Sequence, residues 1–225
     1  MPRSLYVAAA EAESGKSAIA LGVLDLLARQ VERVGIYRPV VRGLDQADPV
    51  IELLRARVAC GAPYEASTGV TYDDVHADPD GAIEEIVARF RALERECDAV
   101  LIVGTDYTDV GAATELWFNA KVAVNLGAPV ICVMAGRERS IDDLVAATDL
   151  AIAALAGARC EVAGVVVNRV DPEVVEALVR RFADHGTSQV SVVPDEPLLS
   201  APTVQALADA AHARVLGGDA SMWQR

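Results

Sequence analysis

Short, continuous apolar runs alternate along this chain with longer stretches of helical length and composition. The runs that begin at Leu5 and Val34, and residues 99–103, 130–134, 162–167 and 190–193, carry no charged side chain. They read as strands buried on both faces. Between them, helices are expected over residues 18–27, 48–59, 80–96, 114–126 and 141–156, then from 171 onward and over 203–214. The start signals agree. Pro49 follows Asp48, as suits a first helical turn, Ser140 stands at an N-cap position, and Asp171-Pro172 opens another helix. Residues 60–79, with Gly61, Pro63, Gly69 and Pro79, are expected to be irregular. Continuous apolar strands alternating with helices specify a parallel sheet covered on both faces and joined by right-handed crossovers, a three-layer α/β/α fold. No repeat, low-complexity segment or linker interrupts the pattern. Residues 1–216 are therefore expected to form one domain, with 217–225 as a tail.

Composition narrows the function classes. Of the 225 residues, 52% are apolar but only 4% aromatic, which favours close helix-on-sheet packing. A net charge of −13 argues against a nucleic-acid partner, because nothing would neutralise phosphates along a groove. It leaves room for a small anion in a local positive pocket. No apolar run approaches the roughly 18 residues of a membrane span, and the amino terminus lacks a secretory core, so no membrane partner is expected. Cys60, Cys97, Cys132 and Cys160 are widely spaced without a Cys-x-x-Cys pair, which reads as buried thiols in a reducing cytoplasm.

The chemistry begins where the first strand runs into Glu11-Ala12-Glu13-Ser14-Gly15-Lys16-Ser17 and then a helix. Strand, loop, Gly-Lys-Ser, helix is the layout of a phosphate-binding P-loop. Backbone N–H groups and the positive end of the helix dipole cradle phosphates, the lysine reaches the outer ones, and the hydroxyl can ligand Mg²⁺. Glu13, Ser14, Gly15, Lys16 and Ser17 are accordingly the candidate nucleotide- or phosphate-binding residues. The usual first glycine is missing, with alanine at positions 9 and 10, and Glu11 and Glu13 place two carboxylates in the loop. An ordinary strand-to-helix turn with an exposed lysine is the competing reading.

In parallel sheets, ligands sit beyond the carboxyl ends of the strands. Arg38, with Asp48 ten residues on, follows the second strand; Gly104 to Asp109 follow the third; Asn168-Arg169 follow the strand ending at Val167; and Pro194-Asp195-Glu196-Pro197 follow the last. All are expected at one rim. Asp48 also reads as a helix N-cap, Arg38 as a surface charge, Asp195 and Glu196 as solvated loop, and Asp106 and Asp109 as turn residues.

In order along the chain, Ala9–Ser17, Gly35-Ile36-Tyr37-Arg38-Pro39, Val100–Thr105 and Val165-Val166-Val167-Asn168-Arg169 resemble dethiobiotin synthetase and its relatives, including cobyrinic acid a,c-diamide synthase. The stretches from Asn119 to Val130 and from Val193 to Thr203 are closer still to the amino-terminal domain of long bacterial phosphate acetyltransferases. The resemblance spans nearly the whole chain and implies a P-loop NTPase-like fold. In the ATP-using relatives the phosphate loop, its lysine and its hydroxyl hold ATP, positions matched by Gly15, Lys16 and Ser17. A lysine before proline there helps activate the substrate; Arg38-Pro39 takes its place, keeping charge but not a titratable amine. Asp48 matches an aspartate that helps hold Mg²⁺ together with the Ser17 hydroxyl, and Asn168 an asparagine that meets adenine. A metal-binding glutamate before glycine is replaced by Val103-Gly104. An aliphatic side chain cannot coordinate a hard cation.

Three functions stay open at this point. The first is a regulatory and assembly domain of a phosphate acetyltransferase, binding ATP, ADP or a small anionic metabolite without turnover. Its partners would be a linker domain and an acetyltransferase domain, which the resemblance places after the region where this chain stops. The second is an ATP-dependent, Mg²⁺-using ligase that forms a carboxyl phosphate for capture by an amine. The third is a structural domain with a decayed P-loop. A cytoplasmic homo-oligomer completes the expectation.

Overall fold

The computed structural model describes residues 4–58, 61–105, 112–187, 189–196 and 204–213. The chain divides into two compact units, Met1–Pro194 and Asp195–Arg225. In the first unit the strands are β1 (Ser4–Ala9), β2 (Val34–Val41), β3 (Thr68–Thr71), β4 (Ala99–Val103), β5 (Val130–Ala135), β6 (Val162–Val170) and β7 (Val190–Pro194). Its helices are α1 (Lys16–Ala28), α2 (Pro49–Arg55), α3 (Tyr72–Ala77), α4 (Pro79–Glu94), α5 (Ala112–Leu126), α6 (Ile141–Gly157) and α7 (Val175–His185). In the second unit, α8 (Val204–Ala210) is the described element.

The strands form one sheet in the order β3-β2-β4-β1-β5-β6-β7, with each described pair parallel. This is the expected three-layer arrangement, and its inner strands are buried on both sides. Toward α1, Val7, Leu101, Val103 and Val133 pack with Ala20 and Leu24. On the opposite face, Tyr6, Tyr37, Ile102 and Cys132 pack with Ile86 and Phe90 of α4 and Ala120 and Ala123 of α5. The Tyr37 hydroxyl donates to the Ile86 carbonyl at 2.9 Å, satisfying the one polar atom of a fully buried ring. Cys97, Cys132 and Cys160 are free and buried; burial, reinforced by the Glu11 charge, pushes the Cys132 thiol up to about 12. No helix among the described residues is long and apolar enough to cross a membrane.

The expected elements are present, with differences at their ends that have physical causes. Residues 60–79 contain a 3-10 turn (Tyr64–Ser67), β3 and α3 rather than irregular chain. β3 is a four-residue edge strand, too short for an alternation signal, and a capping box between Thr71 and Asp74 starts α3 directly after it. β2 continues through Pro39 to Val41 instead of stopping at Arg38. The β4 ladder alongside β2 ends at Tyr37, and the β3 ladder is carried by Arg38, Val40 and Val41. Pro39 thus falls where its missing N–H has no partner to lose. β6 runs past Asn168 to Val170, and α7 begins at Val175 rather than at Asp171. As expected, the Ser140 hydroxyl caps α6 by accepting from Asp143 N.

The β2–β3 edge depends on a glycine. A Cβ on Gly69 would lie 2.0 Å from the Pro39 carbonyl oxygen, which is backbone and cannot rotate away. Gly69→Ala is therefore expected to cost about 1–3 kcal/mol by overpacking and to loosen the Val70 and Thr71 amides first. Urea unfolding and hydrogen exchange measure both effects. Wild-type stability and protection in the variant would show that the edge accommodates the methyl group.

Candidate functional site

Past β1 the chain turns through Glu11–Ser14 to Gly15, whose φ of 78° delivers it into α1 at Lys16. Glu13 (φ 55°) is also left-handed, as are Glu138 (58°) and Arg169 (61°) in the flanking segments. Each such non-glycine conformation costs about 1–3 kcal/mol and persists only where its surroundings hold it. Here they do. Arg169 Nη1 donates to the Glu13 carbonyl at 2.9 Å, and Asn168 Nδ2 donates to the Ser14 carbonyl at 2.8 Å. From the other side, the Glu11 carboxylate accepts from Ala135 N at 2.9 Å and from Arg139 Nη1 at 2.8 Å. One of the two loop carboxylates is thereby paired with a guanidinium and serves as a strut. The loop is pinned from β5 and β6 with its backbone amides at the head of a 13-residue helix.

Lys16 is buried, not the exposed lysine of an ordinary turn. Its ammonium donates to the carbonyls of Gly104 at 2.5 Å and Thr105 at 2.7 Å, immediately beyond β4. Thr105 is itself fully buried and donates its N–H to Asn119 Oδ1 at 3.0 Å. The same oxygen accepts the Tyr6 hydroxyl at 2.7 Å, while Asn119 Nδ2 donates to the Glu115 carbonyl at 3.0 Å. A continuous polar chain thus joins the P-loop lysine to α5 and β1 through the apolar interior. Burial holds the Tyr6 phenol well above its ordinary pKa, which keeps it a neutral donor.

Val103 points away from this network, 1% exposed, into the apolar cluster with Val7, Ala20 and Leu24 under α1. Arg38 and Asp48 pair with each other. Their Nε–Oδ2 distance is 3.1 Å and both side chains are largely buried. Asp48 Oδ1 caps α2 by accepting from Val50 N at 2.9 Å and Ile51 N at 3.2 Å, so both carboxylate oxygens are engaged within the protein. Asp48 is an N-cap in this fold, with little left to offer Mg²⁺. With β4 lying between β1 and β2, the pair stands two strands from the P-loop, beside a cleft of about 580 Å³.

The fold therefore gathers Glu13, Ser14, Gly15, Lys16, Ser17 and Asn168 in one place and sets Arg38 with Asp48 in another. Asp106 and Asp109 lie outside the described residues, and Asp195 and Glu196 belong to the second unit. Among the described residues no group of three or more His, Cys, Asp or Glu side chains is placed to hold a metal ion. Sequence reasoning missed Arg139 and the roles of Tyr6, Thr105 and Asn119. An asparagine on the apolar stripe of a helix, among Leu116, Ala120 and Ala123, was a usable signal for Asn119; nothing marked Arg139.

A family model described as AAA domain matches residues 3–203, and the chain belongs to that family. Over 97% of its length it is 31% identical to the phosphate acetyltransferase of Nitratidesulfovibrio vulgaris and 30% identical to that of Synechocystis sp.. It covers 33% of each, so the chain spans about a third of the length of the curated relatives it matches. Among solved structures, a putative plasmid partition protein from Borrelia burgdorferi bound to AMPPNP has a TM-score of 0.53 at 12% identity, over 100% of this chain and 95% of that one. A nucleotide-binding protein from Archaeoglobus fulgidus in complex with ADP has a TM-score of 0.50 at 17% identity, over 88% of this chain and 83% of that one. At these identities the likeness concerns the fold, a P-loop NTPase-like α/β/α sandwich.

Asn119→Ala would orphan the Tyr6 hydroxyl and the Thr105 N–H, both buried, and is expected to cost about 2–4 kcal/mol. Tyr6→Phe leaves Asn119 Oδ1 its Thr105 donor and should cost about 1 kcal/mol. Equal urea midpoints for the two variants would show that the network is not centred on Asn119.

Proposed function

We propose that this AAA domain binds a nucleotide or phosphorylated metabolite at Gly15, Lys16 and Ser17 without turning it over, as the regulatory and assembly domain of a phosphate acetyltransferase. The observation that carries this reading is the split at the end of β4. Val103, the last residue of β4, is sealed in the α1-facing core, while the carbonyls of the next two residues, Gly104 and Thr105, hold the lysine. Phosphate capture needs only the N–H groups at the head of α1, the helix dipole and a cation, and all three converge here. Phosphoryl transfer also needs a metal held by oxygen ligands to offset charge on the moving group. The Ser17 hydroxyl can offer one such ligand, but Val103 can offer none and Asp48 is committed to Arg38 and α2. Asn168 supports the loop through the Ser14 carbonyl, which its amide holds at 2.8 Å. Full-length proteins of the matched kind are named for the acetyl transfer they carry out; that activity is assigned here to the parent protein, with this domain as its sensor.

Purified residues 1–225 should show background ATP hydrolysis with Mg²⁺, with or without carboxylic-acid and amine co-substrates, and no acetyl phosphate formation from acetyl-CoA and phosphate. ATP, ADP or a phosphorylated metabolite should raise the melting temperature; at about 100 times its Kd a ligand stabilises the fold by roughly 2.7 kcal/mol. Lys16→Ala should abolish that rise; because it also removes the donor to the buried Gly104 and Thr105 carbonyls, its own ligand-free melting temperature is expected to fall, and the ligand response is read against that value. Mg²⁺-dependent turnover that disappears in Lys16→Ala would replace this reading with the ATP-dependent ligase. No stabilisation by any phosphate-bearing ligand would leave a structural domain.

A further inference from the structure

We infer that the outer face of the α5–α6 pair is a two-fold interface on which a second copy of this chain docks, with α6 crossing its counterpart antiparallel. α6 turns Leu144, Val145, Thr148, Ala151 and Leu155 into the core. Its opposite side is where polar residues are expected, yet that line carries Ala146, Leu150, Ala153 and Gly157, all exposed. Their spacing of four, three and four residues is that of a coiled-coil seam. Leu150 stands 72% exposed on it. Beside the seam, Leu116, Trp117 and Ala120 of α5 and Ala154, Gly157 and Ala158 of α6 line a groove of about 250 Å³, with Trp117 59% exposed. Paired polar side chains stand on the flanks instead. Lys121 meets Asp80 of α4 on one side, and Asp149 and Asp142 meet His185 and Arg181 of α7 on the other. An apolar centre with an aromatic side chain inside a polar rim is the anatomy of a protein interface.

The face fits itself. Gly157 lies two turns past Leu150, about 10 Å along α6. A two-fold axis over the Ala153–Ala154 bond sets Leu150 of each copy on Gly157 of the other, at the groove beside Trp117, and lets Ala153 meet Ala154. Gly157 is suited to receive it. A Cβ there would have nothing within 4 Å, so no contact inside the chain requires a glycine. Glycine weakens a helix relative to alanine, and what it provides here is room for a neighbour. Charge points the same way. At a net charge of −13, copies of this chain repel over most approaches, and no acid lies on the line from Ala146 to Gly157. The area is sufficient as well. Helices of 15 and 17 residues, each about 10 Å across and about 22 and 25 Å long, present roughly 500 Å² per copy. Two copies reach roughly 1,000 Å², where specific interfaces begin. This inference does not rest on the P-loop reading.

The test is sedimentation of the chain over a concentration series. Wild type is compared with Leu150→Ala, which removes the knob, and Gly157→Leu, which fills the hole. Both positions are exposed, so both variants should keep the wild-type circular dichroism spectrum. Wild type is expected to dimerise, and each variant to raise the dimer dissociation constant about tenfold or more, the scale of losing a buried leucine. Ala153→Cys should cross-link two copies on mild oxidation beyond the level of wild type, because the antiparallel crossing brings the two residues together at the axis. A wild-type monomer throughout the series, a dimer that either variant leaves intact, or no added cross-link would each overturn the interface. A monomer would leave the face to a different protein. ADP titration of the same variants reports on the P-loop separately.

Discussion

A buried ammonium with no partner would be too costly for the interior of a domain this size, and Lys16 escapes that cost through the carbonyls of Gly104 and Thr105. Much of the candidate site follows from this contact. It ties the P-loop to the end of β4, and it requires residues 104 and 105 to present their carbonyls toward α1. That leaves the Thr105 N–H facing away, where Asn119 accepts it and Tyr6 completes the chain. The lysine that would meet a phosphate is thus a structural part of the sheet edge as well.

The same contact holds the end of β4 with no carboxylate at position 103. Val103 fills the α1-facing core beside Val7 and Leu24, so the end of β4 is held by apolar packing on one face and by Lys16 at its tip. Glu11 joins the structural scaffold through Arg139 and Ala135 N, and Asp48 through Arg38 and the amides of α2. Ionised groups near the strand ends are used here to fix loops.

Two regions of the sheet edge can then be distinguished by what their charges do. At the P-loop, charge and backbone dipoles point to one spot at the head of α1, and the left-handed residues Glu13, Glu138 and Arg169 mark where the chain is bent to achieve this. At β2, Arg38 and Asp48 pair within the wall of a cleft that the exposed Arg42 and Asp45 also line. β4 separates the two regions.

The chain's own pattern determined the fold class, because uncharged runs of four to six residues alternating with helices leave a doubly covered parallel sheet as the natural packing. It also located the P-loop, since Gly15-Lys16-Ser17 lies between an apolar strand and a helix, and it marked Asp48 and Ser140 as caps from their place before helical runs. It did not give β3, which is too short to show alternation, nor the passage of β2 through Pro39, which depends on where the neighbouring ladder stops. Above all it could not say which charges would meet. Glu11 with Arg139 is separated by 128 positions and Asn168 with Ser14 by 154, and no local periodicity encodes such pairs. Whether a loop carboxylate faces a phosphate, a metal or an arginine is decided only when strands distant in sequence become neighbours in the sheet, and here that tertiary choice turned Glu11 and Asp48 into supports.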